Sequence, residues 1–138
     1  MSELHVGPVV RVRIQSSADI VTARQEGRSM AATLGFTNTT LTIIATAISE
    51  VARNIVEYAK EGEISIAPVG NGIVRGLQIV ARDQGPGIVD LDTAMRDGFS
   101  TSKSLGMGLP GAKRLMDQFE ISSAIGEGTT VKMTKWIG

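Results

Sequence analysis

STSKSLGMGLPGAKRLMDQF, residues 100–119, sets three glycines in six positions and then runs into an amphipathic pattern. Gly106-Met107-Gly108-Leu109-Pro110-Gly111 is a literal G-x-G-x-x-G, and its reading decides the fold. A dinucleotide fingerprint would demand a doubly wound parallel sheet, a buried strand before the loop and an acidic residue about 20 residues after it. Here the preceding "DGFSTSKSL" is polar, and "GEGTT" occupies the place of the acidic strand end. A Walker A loop fails as well, because Lys103 and Lys113 lack glycines at the required spacing. A protein-kinase glycine loop lies between two strands and does not open a helix. What survives is physical: glycines admit close backbone approach, and a helix start offers unpaired N–H groups at the positive end of its dipole. Phosphate is the natural ligand, although the same glycines can simply cap and turn a loop.

The surrounding pattern argues for a two-layer fold. Val10, Val12 and Ile14 alternate with Arg11, Arg13 and Gln15, which predicts a half-buried strand over about 8–16. Asp19 can cap a helix over 19–34 carrying Ile20, Ala23, Gly27, Met30, Ala31 and Leu34, with Gly35 as its stop. Asn38 or Thr39 can cap a longer helix whose stripe of Leu41, Ile44, Ile48, Val51 and Ile55 ends near Gly62. "EISIAPV" and "RGLQIVARD" flank Asn71-Gly72, a pair suited to a hairpin turn with positive φ. Ala112, Leu115, Met116 and Phe119 predict a third helix, and "EISSAIGEGTTVKMTKWI" a final hairpin turning at 126–128. Successive hairpins favour a two-layer α/β sandwich, with a mixed, mainly antiparallel sheet and helices on one face. The 138 residues are expected to form one domain, 1–138.

Composition excludes much chemistry. Fourteen Lys and Arg balance fourteen Asp and Glu, so net charge gives no reason to expect nucleic acid or an anionic membrane as partner. There is no cysteine and a single histidine, His5, which removes thiolate and His-cluster metal sites; His5 is expected in a loose N-terminus. Without a membrane-length apolar run or a signal-peptide pattern, a cytoplasmic location is expected. Arg24 and Arg28 suit a solvated helix face, and Trp136 suits packing on an edge strand.

Two further stretches bear on the glycine loop. In "AISEVARNIVEYA", Glu50 and Asn54 are one helical turn apart on the shoulder of the apolar stripe, bordering a cleft. A carboxylate there can act as a base, and an amide oxygen is a hard ligand suited to Mg²⁺; in isolation the pair is more often a solvated face. In "DQGPGI", Asp83 ends a strand beside Gly85 and Gly87. That is a turn, or an acceptor fixed for an amino group such as that of adenine, with glycines letting the ring approach the backbone.

Taken in order, Glu50-x-x-x-Asn54, Asp83-x-Gly85-x-Gly87, Gly106-x-Gly108 and "GEGTT" resemble the nucleotide-binding boxes of the GHKL superfamily of ATPases and kinases, with its Bergerat fold. "TARQEGRSMA" and "DGFSTSKSLGMGLPGAKRLMD" narrow the resemblance to the serine/threonine switch kinases of bacterial stressosomes, close to the anti-sigma-factor kinases. The resemblance implies that Glu50 is the general base and that Asn54 binds Mg²⁺ on the phosphates of ATP. It implies that Asp83 takes the adenine amino group, with Gly85 and Gly87 lining the base pocket and Thr129 supporting it. Ser100, Thr101 and Lys103 would form a short lid, and Gly106, Met107, Gly108 and Leu109 the phosphate cradle. With only His5 in the chain, the phosphate acceptor would come from another protein. The implied substrates are STAS-domain scaffold proteins, with a PP2C-type phosphatase regulator as second partner. The alternative is an anti-sigma factor that switches partners with nucleotide state.

Overall fold

The structure, a computed structural model, describes residues 4–86 and 108–137. Two short strands, β1 (Leu4–His5) and β2 (Val10–Ile14), lead into helices α1 (Ser17–Leu34) and α2 (Asn38–Tyr58). The hairpin β3 (Gly62–Gly70) and β4 (Arg75–Asp83) follows, then helix α3 (Gly108–Leu115) and the hairpin β5 (Gln118–Ala124) and β6 (Gly128–Trp136). The sheet order is β1-β3-β4-β6-β5, with β2 pairing the same edge of β3 as β1. Every pairing among the described residues is antiparallel, the limiting form of the mainly antiparallel sheet expected.

The core lies between the sheet and the helices. Val12, Ile14, Ile64, Ile66, Leu77, Ile79, Val131 and Met133 meet Leu41, Ile44, Ile48, Val51 and Ile55 of α2. Each such side chain, fully buried, contributes roughly 1.5–3 kcal/mol of transfer free energy. α1 buries only the small residues Ala23, Gly27 and Ala31, which lets it lie close on α2. A Cβ at Gly27 would collide with Cδ1 of Ile48. α3 packs on α2 through Leu109 and Ala112.

Several element ends differ from expectation for local reasons. Thr37, not Asn38 or Thr39, caps α2: its Oγ1 accepts from the N–H of Thr40 at 3.3 Å. α1 begins two residues before Asp19, whose Oδ2 accepts from the N–H groups of Gln15 and Ser16 at 2.8 and 3.2 Å. The third helix stops at Leu115, and Phe119 belongs to β5, because the Asp117 N–H turns to the Thr134 carbonyl and starts the strand. Lys135 Nζ then donates to the part-buried Leu115 carbonyl at 3.0 Å. In the β3–β4 loop only Gly72 has positive φ, 88°, while Asn71 Oδ1 accepts from the N–H groups of Ile73 and Val74. His5 is not loose but pairs with Val69. Trp136 sits on β6, which lies between β4 and β5 and not at an edge; it covers Gly76, where a Cβ would stand 2.7 Å from the indole.

Candidate active site

Glu50 lies on the inner shoulder of α2 and is only 7% exposed. A buried carboxylate is costly unless its oxygens are hydrogen-bonded. Both are: Oε1 accepts from the N–H of Gly108 at 2.8 Å, and Oε2 from Nη1 of Arg53 at 2.8 Å. Gly108, with φ 67°, is the first residue of α3. The bond therefore joins the carboxylate to a helix start, where unpaired N–H groups and the dipole favour negative charge. Leu109 turns its side chain into the core, so only its backbone remains for a phosphate cradle.

A second cluster forms where β4 ends. Asp83 is 8% exposed, and its Oδ1 accepts from the N–H of Gly85 at 2.9 Å and of Thr129 at 3.2 Å. Thr129 is buried on β6 directly opposite Asp83, and its Oγ1 is 2.8 Å from Ser123 Oγ on β5. Close approach here requires glycine. A Cβ on Gly85 would lie 2.6 Å from that of Ala59, and one on Gly128, where φ is 87°, would strike the Asp83 carbonyl oxygen. Among the described residues, the hydrogen bonds to the Asp83 carboxylate converge on Oδ1.

α2 joins the two clusters. Ala59, its C-cap, backs Gly85, and Glu50 stands nine residues earlier, about 13 Å along the axis at ~1.5 Å per residue. An extended nucleoside triphosphate spans such a distance. Asn54 sits between them, half-buried. Gly87, Ser100, Thr101, Lys103, Gly106 and Met107 lie outside the described residues. Arg53 and Ser123 join the site without having been expected there. The Glu-x-x-Arg spacing on a helix was the available signal for Arg53; Ser123 shows only once β5 is registered on β6, where it opposes Thr129.

No cluster of three or more His, Cys, Asp or Glu residues occurs among the described residues, and no helix among them is long and apolar enough to cross a membrane. An apolar groove of about 560 Å³ beside Met30, Pro68 and Arg75 lies at the opposite end of β4 from Asp83, apart from this site.

Residues 15–135 match the model of the histidine kinase-like ATPase domain. The chain is 54% identical over 126 residues to the serine/threonine-protein kinase RsbT of Bacillus subtilis, covering 91% of this chain and 95% of that one. It is 36% identical over 120 residues to the anti-sigma F factor of Caldanaerobacter subterraneus, covering 84% of each. The fold is similar to that of the RsbU and RsbW domains of a Mycobacterium tuberculosis protein, with a TM-score of 0.67 at 20% identity over 96% of this chain and 34% of that one. A mycobacterial sensor histidine kinase, MprB, gives 0.55 at 14% identity over 96% and 97%. By family model and by identity alike, the chain belongs to the histidine kinase-like ATPase domain family, in its branch of RsbT-type serine/threonine kinases and anti-sigma factors.

Proposed function

We propose that this chain is a single-domain, cytoplasmic protein serine/threonine kinase that transfers the γ-phosphoryl group of ATP to STAS-domain scaffold proteins of a bacterial stressosome. Having done so, it binds and activates a PP2C-type phosphatase. The observation that carries the kinase reading is the Glu50 carboxylate, buried on α2 and hydrogen-bonded to the amide that opens α3. It brings a base and a phosphate-favouring helix start within one hydrogen bond of each other. The 54% identity to a serine/threonine-protein kinase supports the same reading.

The residues fit ATP. Asp83 Oδ2 accepts the adenine amino group, Gly85 and Gly87 line the base pocket, and Thr129 holds Asp83 in place through its own N–H. Gly106, Met107, Gly108 and the Leu109 amide receive the phosphates, with Ser100, Thr101 and Lys103 over them. The Asn54 side-chain oxygen is a hard donor that would suit Mg²⁺. A bound Mg²⁺ supplies neutralisation of phosphate charge as the group moves. Phosphoryl transfer asks the protein mainly for positioning and charge, and Glu50 takes the proton of the attacking hydroxyl.

A second reading, an anti-sigma factor whose grip depends on nucleotide state, is favoured by the 36% identity to anti-sigma F factor. Incubating the protein with Mg·ATP and candidate STAS-domain or sigma-factor partners separates the two. Phosphoserine or phosphothreonine on a STAS partner, read by mass, is expected. Tight sigma binding with no transfer to any STAS partner would overturn the choice.

A further inference from the structure

Arg53 has no role in the reading above, yet among the described residues it is the side chain that grips Glu50. The two residues are three apart on α2, so they share a face of the helix. Arg53 Nη1 lies 2.8 Å from Glu50 Oε2, while Gly108 N–H occupies Oε1 at the same distance. Each oxygen of the buried carboxylate thus has one donor, and the two differ in kind. The Gly108 amide opens a helix and is among the groups that a phosphate would recruit; the guanidinium belongs to α2 itself, the helix that carries Glu50. The Arg53 side chain is 32% exposed against 8% for Glu50, so it reaches from the buried carboxylate toward the surface.

We propose that Arg53 is the positioning residue of the transfer step: it fixes Oε2 of Glu50, leaving Oε1 as the oxygen that accepts the substrate's proton. This rests on the assignment of Glu50 as base. In the step, the substrate hydroxyl oxygen forms a bond to the γ-phosphorus as the bond from that phosphorus to the β,γ-bridging oxygen breaks. The bonding pair leaves with ADP, and the hydroxyl proton passes to Glu50 Oε1. A carboxylate oxygen has two lone-pair sites, so Oε1 can take the proton whether or not Gly108 N–H remains on it. Without the guanidinium, once a phosphate draws on the amide, the Glu50 side chain is free to change rotamer. A misplacement of about 1 Å at a reacting group costs on the order of 10²-fold in rate.

The test uses the full chain, a STAS-domain substrate that the wild type phosphorylates, and four variants: Arg53→Ala, Arg53→Lys, Glu50→Ala and the double variant Glu50→Ala/Arg53→Ala. Single-turnover transfer at saturating Mg·ATP is measured beside ATP affinity by calorimetry and melting temperature. Arg53→Ala is expected to lower the transfer rate about 10- to 100-fold, in the range of a misplaced group, with ATP affinity and melting temperature close to wild type. Arg53→Lys, which keeps one charged donor, is expected to recover most of the rate. The double variant is expected to be no slower than Glu50→Ala, because both changes act through one carboxylate. If Glu50→Ala collapses transfer while Arg53→Ala does not, or if the two losses multiply, the role of Arg53 is wrong and that of Glu50 stands. An Arg53→Ala loss confined to KM for the protein substrate also overturns it, making Arg53 a docking contact. If Glu50→Ala itself transfers at the wild-type rate, the base assignment falls and this inference with it.

Discussion

Two backbone N–H groups converge on one oxygen of Asp83, and the proposed function gives the other oxygen to adenine. Asn at this position can keep both N–H bonds on its own oxygen, but it sets an NH₂ where Oδ2 stood. On the proposed binding mode, a donor then faces the adenine amino donor. Asp83→Asn should therefore leave the melting temperature nearly unchanged and weaken ATP binding about tenfold or more, since unpaired buried donors cost ~1–3 kcal/mol. Titration calorimetry checks it, and an unchanged affinity would remove adenine from Asp83. Glu50 and Asp83 could be placed from the sequence on a helix shoulder and at a strand end, whereas Thr129 was marked only by the resemblance of "GEGTT" to a nucleotide-binding box. Arg53 and Ser123 were not singled out. One depends on a rotamer that bends toward Glu50, the other on the register that sets Ser123 opposite Thr129.

Element identities followed the apolar periods, while their ends followed local hydrogen-bonding competition. The start of α2 is decided by which hydroxyl reaches a free helix N–H, and Thr37 does so from an extended backbone, φ −69° and ψ 161°. Thr37→Ala should cost about 1 kcal/mol of stability in urea unfolding, the usual worth of an N-cap, with kinase activity unaltered at low denaturant. No loss of stability would show that the cap contributes nothing. The end of α3 was less legible for a related reason. Phe119 keeps helical spacing with Leu115 and Met116, so its pattern cannot distinguish another helical turn from a strand facing the same core. Long-range groups decide it: the Thr134 carbonyl receives the Asp117 N–H, and Asp117 Oδ2 receives the Trp136 N–H at 2.7 Å. Neither partner is near in sequence.

Across the whole molecule, the candidate site gathers residues from position 50 to position 129 onto one end of the sheet. The antiparallel order makes this possible, because β4 ends and β6 begins at the same edge, beside the C-terminal half of α2. The two-layer architecture was legible from successive hairpins and one long amphipathic helix. That Gly108 would close onto Glu50 was not, since 58 residues separate them and only packing of α3 on α2 brings the helix start there. In the proposed reading ATP binds at the β4 end and phosphoryl transfer falls to Glu50, so the two functions should come apart in a single variant. The decisive measurement is the single-turnover transfer rate from saturating Mg·ATP to a STAS-domain substrate by Glu50→Ala, with nucleotide affinity measured on the same sample. A rate reduced ~10²–10⁴-fold, as for loss of a general base, with ATP still bound, is expected; transfer at the wild-type rate would contradict it.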